Sequence, residues 1–244
     1  MAYRFDFTPI LTYADVLVRG VVLTIELILV GGVVGVLLGI ACAYARAERV
    51  AVFSQLAGIY VELIRNTPFI VQLFFIFFGL PAAGVRLGEV EAAMLAMVIN
   101  LGAYSTEIIR AGIQGVPAGQ REAAASLGMT RIECFRHVVL VPALRKIWPA
   151  LSSQIVIVML GSSVCSQIAA EELSFAANFI QSRSFRAFEA YLVATAIYLA
   201  LAIGTRALLK QLGDRLLYGA NRRAALAARR AATTAAASGG AVHG

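Results

Sequence analysis

The sequence predicts an all-α integral membrane protein with five transmembrane helices and a cytoplasmic helix-turn-helix, and three observations predict it. Of the 244 residues, 60% are apolar and only 14% are charged, more apolar surface than a soluble domain of this length hides. The apolar residues fall in blocks near the ~20 residues that cross ~30 Å of hydrocarbon. The blocks lack the alternation of a membrane barrel strand, so their backbone N–H and C=O groups must be paired within each segment, as a helix pairs them.

The expected spans run roughly from Val16 to Tyr44, Phe53 to Leu80, Glu91 to Ile113, Ile147 to Ala169 and Glu189 to Leu209. Residues 1–15 form an external N-terminal segment, residues 16–219 the membrane domain with a long connection at 114–146, and residues 220–244 an Ala- and Arg-rich tail that reads as a mobile cytoplasmic extension. The first span is expected to stay in the protein. Asp6 and Asp15 stand where a signal peptide has a basic region, and the apolar run that follows is too long for one. Cys42, Cys134 and Cys165 lie in or near different spans without paired spacing, so neither a disulfide framework nor a metal site is expected.

Basic residues between spans set the expected orientation. One side holds thirteen: Arg46 and Arg49, then Arg121, Arg131, Arg136, Arg145 and Lys146, then Lys210, Arg215, Arg222, Arg223, Arg229 and Arg230. The other holds five: Arg4, Arg19, Arg86, Arg183 and Arg186. This places the N-terminus outside and the C-terminus in the cytoplasm. Topology then accounts for much of the net charge of +7, and a nucleic acid partner is not required.

The connection at 114–146 reads as two short helices. Pro117 opens the first, Ala123, Ala124, Ala125 and Leu127 favour its interior, and Gly128 supplies a residue that tolerates positive φ at its end. Thr130 followed three residues later by Glu133 is a capping box, so a second helix starts at Arg131, with Met129 and Cys134 at the staple positions. Pro142 limits or kinks that helix.

Glu122-Ala123-Ala124, then three residues, then Gly128, resembles the EAA motif of permease subunits in ATP-binding-cassette importers of the type I fold, set before the penultimate span as in that family. The nearer resemblance, over about Gly20 to Tyr218, is to the polar amino acid permeases. It is carried by Glu62-Leu63-Ile64-Arg65-Asn66-Thr67-Pro68, by Asn100-Leu101-Gly102-Ala103-Tyr104-Ser105-Thr106-Glu107 through Ile113, and by Phe135-Arg136-His137-Val138-Val139-Leu140. The resemblance implies that the loop is a coupling helix docking on a separate ATPase subunit, with Arg121, Glu122, Ala123, Ala124, Leu127, Gly128 and Arg131 at the contact. It also implies an extracytoplasmic solute-binding protein, a second permease subunit as homo- or heterodimer, a location in the cytoplasmic (inner) membrane, and import of a polar amino acid or related small solute. In two places the chain departs from the family pattern. Val141 stands between Leu140 and Pro142 where relatives place the proline one residue earlier, and Leu160-Gly161-Ser162-Ser163 stands where relatives often carry Lys-Asp-Thr-Ser.

The chain has no Gly-Lys-Ser/Thr phosphate loop, because its only lysines are Lys146 and Lys210. Its two histidines, His137 and His243, gather no acid, metal or nucleophile cluster, so no catalytic residue, metal or cofactor is expected.

Polar residues inside spans are costly in lipid and are expected to face the bundle interior. They include Glu26, Glu62, Arg65, Gln72, Asn100, Tyr104, Glu107, Arg110, Gln154, Ser162 and Ser163. Glu62 with Arg65, and Glu107 with Arg110, are three apart and read as ion pairs near the cytoplasmic ends. Gln72, Asn100, Tyr104, Ser162 and Ser163 are the candidate solute path, although small serines are also common packing contacts. Pro68 either frees a carbonyl for the solute or simply kinks the second span. Gly31, Gly35 and Gly39 let a helix approach closely, either one of the neighbouring permease or one of the same chain, which the first span of a small bundle favours. A channel or secondary transporter is the alternative reading. It predicts internal symmetry that five spans do not show, and it leaves the helix-turn-helix without a use.

Overall fold

The computed structural model describes residues 4–218, so the expectation about the tail at 220–244 lies outside the described residues. Among the described residues nine helical elements follow one another: α1 (Thr8–Thr12), α2 (Ala14–Ala47), α3 (Ala51–Arg65), α4 (Phe69–Ala83), α5 (Glu89–Gln114), α6 (Ala118–Ser126), α7 (Arg131–Ile168), α8 (Leu173–Ser184) and α9 (Ala187–Leu217). Among the described residues α2, α5, α7 and α9 are each long and apolar enough to span a membrane, and α3 with α4 makes a fifth span if the bent pair counts as one.

α5 is the centre of the bundle. It packs on α2, α3 and α7, and its buried side chains Met97, Leu101, Ile109 and Ile113 reach two of the three apolar clusters. The glycine face of α2 makes the closest of these contacts, and its partner is a helix of this same chain. A methyl group built on Gly31, Gly35 or Gly39 would lie 3.2, 3.0 or 2.5 Å from the Cβ of Met97, Leu101 or Ser105. Backbones this close gain dispersion contacts that lipid tails cannot replace. The opposite face of α2 carries exposed Val18, Leu29, Val33 and Leu37, as a lipid-facing surface requires.

The second span is not one helix. α3 and α4 meet at 113°, with Asn66, Thr67 and Pro68 between them. Proline lacks the N–H that would continue the ladder and disfavours helix at Thr67 before it. The carbonyls this frees are taken by side chains: Asn66 Nδ2 donates to the Glu62 carbonyl at 2.8 Å, Thr67 Oγ1 to Leu63 at 2.8 Å, and Gln72 Nε2 to Ile64 at 2.7 Å and Thr67 at 2.9 Å.

The other boundary that differs is the second helix of the hairpin. It has no end of its own, because α7 runs without a break from Arg131 through the fourth span to Ile168. A π-helical stretch, Cys134–Leu140, widens the ladder just before Pro142. That is where the proline ring would otherwise press on the carbonyl four residues back. The shifted proline is thus absorbed inside a continuous helix.

Interior placement fails for Glu26, which is exposed on α2. It stands between Leu27, which is fully buried, and Ile25, which is 39% exposed. Helical geometry turns its side chain away from the α5 contact that the glycines set.

Candidate functional site

Two regions gather groups that the packing does not consume: the tip joining α6 to α7, and a cavity among α4, α5 and α7.

At the tip, Pro117 with extended backbone (φ −57°, ψ 136°) opens α6. The helix closes into Gly128, whose φ is +74°. Only glycine enters that region without strain from a Cβ. The Gly128 and Met129 N–H groups donate back to the Ala125 and Ala124 carbonyls at 3.0 and 3.2 Å. Thr130 then caps α7: Glu133 N–H donates to Thr130 Oγ1 at 3.3 Å, and Glu133 Oε2 accepts from Thr130 N–H at 2.8 Å. The turn and the capping box fix the angle between the two helices. Ala124 is buried as α6 packs on the π-helical stretch of α7, where Phe135 and Val139 are buried too. Facing outward are Glu122, Ala123, Gly128 and Arg131, together with Leu127 at 82% and Ile132 at 67% exposure. Sequence reasoning did not single out Ile132. Its signal is an apolar residue in the first turn of a capped helix, among charged neighbours. Arg121 is turned inward, donating to the Ile113 carbonyl at 3.4 Å.

The cavity holds about 360 Å3. Thr67 and Pro68 at the α3–α4 break form one wall, Asn100 and Tyr104 of α5 a second, and Gln154, Ile157 and Gly161 of α7 a third. Asn100 and Tyr104 are therefore brought together. Gln72 stands behind them, accepting from Asn100 Nδ2 at 2.9 Å while its own amide closes the break. Ser162 is fully buried and is not part of the wall, and Ser163 donates to the Leu160 carbonyl at 2.9 Å. Gln154 of α7 joins the wall, which spacing along the chain does not reveal.

Between the cavity and the end of the bundle that bears α6 lies an ionic cluster. Arg65 sits 5.6 Å from the centre of the Tyr104 ring and 4.0 Å from Glu107. Glu107 pairs with Arg110 at 2.8 Å, as its spacing predicts, and with Arg46 of α2. The expected Glu62–Arg65 pair gives way to Arg65–Glu107. Arg65 gains a ring face and a carboxylate that already gathers guanidinium groups, while Glu62 stays exposed.

At the opposite end, Glu172 caps α8. Its carboxylate accepts from Phe175 N–H at 3.0 Å and from the Tyr198 hydroxyl of α9, and it is fully buried. Burial pushes its carboxyl up to about 7 from an ordinary 4.5. The sequence offered only two adjacent glutamates after a span.

The family described as binding-protein-dependent transport system inner membrane component matches residues 35–218. The chain is 32% identical over 215 residues to the glutamine transport system permease protein GlnP of Escherichia coli (strain K12), covering 87% of this chain and 98% of that protein. It is 37% identical to the L-cystine transport system permease protein TcyB of Bacillus subtilis (strain 168), covering 73% and 74%. Its fold matches the crystal structure of an amino acid ABC transporter with histidines at a TM-score of 0.76 and 36% identity, covering 88% of this chain and all of that one. The inward-facing MetNI methionine ABC transporter shares the fold at a TM-score of 0.65 and 21% identity, covering 84% of this chain and 96% of that one.

Proposed function

The chain belongs to the family of binding-protein-dependent transport system inner membrane components, and from that premise we propose how its geometry moves a solute. It is a permease subunit of an ATP-binding-cassette importer, and its solute is a polar amino acid. The observation that carries the mechanism is the α6–α7 tip. A short helix held at a fixed angle by Gly128 and the Thr130–Glu133 box presents Leu127 and Ile132 to water with no partner among the described residues. Exposed apolar groups rimmed by Glu122 and Arg131 suit a groove on an ATPase subunit.

Work is transmitted through α7. The helix begins at the tip with Arg131 and reaches the cavity at Gln154 and Gly161 without interruption. A displacement of α6 by the ATPase is therefore felt at the cavity wall. The tip faces the cytoplasm and the N-terminus lies outside, in keeping with the basic residues that flank the spans on the tip's side. A solute-binding protein delivers the solute from outside, and a second permease subunit completes the path, since five spans enclose too little for a regulated passage alone.

The cavity accepts the solute through neutral groups. The Asn100 and Gln154 amides, the Tyr104 hydroxyl and the Thr67 hydroxyl offer donors and acceptors, and among the described residues no charged side chain forms its wall. This suits a zwitterion with an uncharged polar side chain better than a cationic one.

The test is Gly128→Val beside Glu122→Lys. A valine at φ +74° strains the turn by about 1–2 kcal/mol, and lysine reverses the charge at the contact. Both variants are expected to insert at normal abundance, to lose the ATPase on co-purification and to lose ATP-dependent uptake. Normal uptake by both would remove the coupling role from the tip.

A further inference from the structure

Where α2 ends, turns into α3 and meets the end of α5, a cavity of about 870 Å3 opens beside α6. Its wall carries four guanidinium groups, Arg46, Arg49, Arg110 and Arg121, together with Gln55 and Gln114, and among the described residues no carboxylate. Two of the four, Arg46 and Arg110, already share the carboxylate of Glu107. Among the described residues Arg49 and Arg121 have no carboxylate partner, and the stretch at 219–244 contains no Asp or Glu that would supply one. Arg49 is also held at φ +50°, a conformation that ordinary side chains rarely adopt, and its side chain is exposed.

Arg46, Arg49 and Arg110 stand at or beside the ends of the spans α2 and α5, and Arg121 stands on α6, where a membrane crossed by those spans would end. One turn away on α2, Cys42 and Tyr44 begin an apolar groove of about 470 Å3 that continues over Val50, Phe53 and Ala57. Phe53 is 67% exposed there. Repulsion among unpaired guanidinium groups is relieved by a phosphate that bonds two or more of them, and the exposed apolar groove across the α2–α3 turn, which adjoins the cavity where Arg49 meets Val50, accommodates acyl chain. We propose that this cavity binds the phosphate headgroup of an anionic lipid from the leaflet facing α6, with its chains along the outer side of the α2–α3 hairpin. The site is separate from the solute cavity, and it lies against the base of α6, so its occupant braces the element that docks the ATPase.

The experiment uses the full importer complex, delipidated in a neutral detergent. It is offered dihexanoyl phosphatidylglycerol, dihexanoyl phosphatidylcholine or inorganic phosphate, and bound molecules are counted by native mass spectrometry. Phosphatidylglycerol is expected to be retained, phosphatidylcholine not, and inorganic phosphate at the same concentration is expected not to displace it. Arg49→Gln is expected to weaken retention about tenfold, the loss of one charge-assisted hydrogen bond. Arg49→Gly guards against misfolding. It relieves the positive φ, so a complex that is at least as stable to heat yet loses the lipid supports the site. Equal retention of the two lipids, or unchanged retention in both variants, overturns the proposal. Displacement by inorganic phosphate shows a free-anion site and overturns the lipid assignment.

Discussion

The tip and the solute cavity are built in opposite ways. Every bond that shapes the tip is local. Pro117, Gly128, Thr130 and Glu133 lie within seventeen residues of chain, and their partners are each other or the adjacent backbone. The cavity takes Thr67 from the α3–α4 break and Asn100 and Gln154 from two other helices, and its polar groups are held by bonds such as Gln72 to Asn100, twenty-eight residues apart. The comparison teaches that the proposed docking element is a rigid insert tolerant of its surroundings, whereas the proposed path depends on the whole bundle being in register.

The largest expected effect that separates them comes from Gly39→Leu. With only 2.5 Å between a Cβ there and that of Ser105, α2 must move off α5. The variant is expected to lose detergent-stable folded protein, seen as aggregation on size exclusion, although the tip sequence is untouched. Next is Asn100→Leu, which leaves the Gln72 carbonyl oxygen without its donor in a buried place. The cost is about 1–3 kcal/mol, with uptake lost and ATPase co-purification retained. That outcome is the reverse of what Gly128→Val should give for docking, and loss of docking in Asn100→Leu would erase the distinction.

Smaller is Thr130→Ala, which removes the cap from α7 for about 1 kcal/mol. Partial loss of ATPase retention with an unchanged solute affinity is the expected readout. The smallest concerns the far end of the bundle, where Glu172 is buried. Between about pH 4.5 and 7 the folded chain holds a proton there that the unfolded chain has released. Its contribution to stability is therefore greatest at low pH and falls as pH rises through that window. Thermal melts across the window should flatten in Glu172→Gln, and an unchanged slope would assign the pH dependence elsewhere.

Five apolar blocks, a capping box and a glycine at a helix end are properties of short stretches of chain, and for that reason the sequence alone determined the helical membrane class, the hairpin and the positive φ at Gly128. The spacing of Gly31, Gly35 and Gly39 likewise fixed a close-packing face. The tertiary structure decided what those faces meet, because contacts across a bundle depend on helix rotation and depth rather than on spacing. It turned Glu26 outward, gave Arg65 to Glu107 instead of Glu62, and turned Arg121 back toward Ile113. It made Gln72 the closure of a broken span, and it buried Ser162 outside the cavity wall while bringing Gln154 into it. A polar residue in a span announces a partner, and only the packed bundle determines which group that partner is.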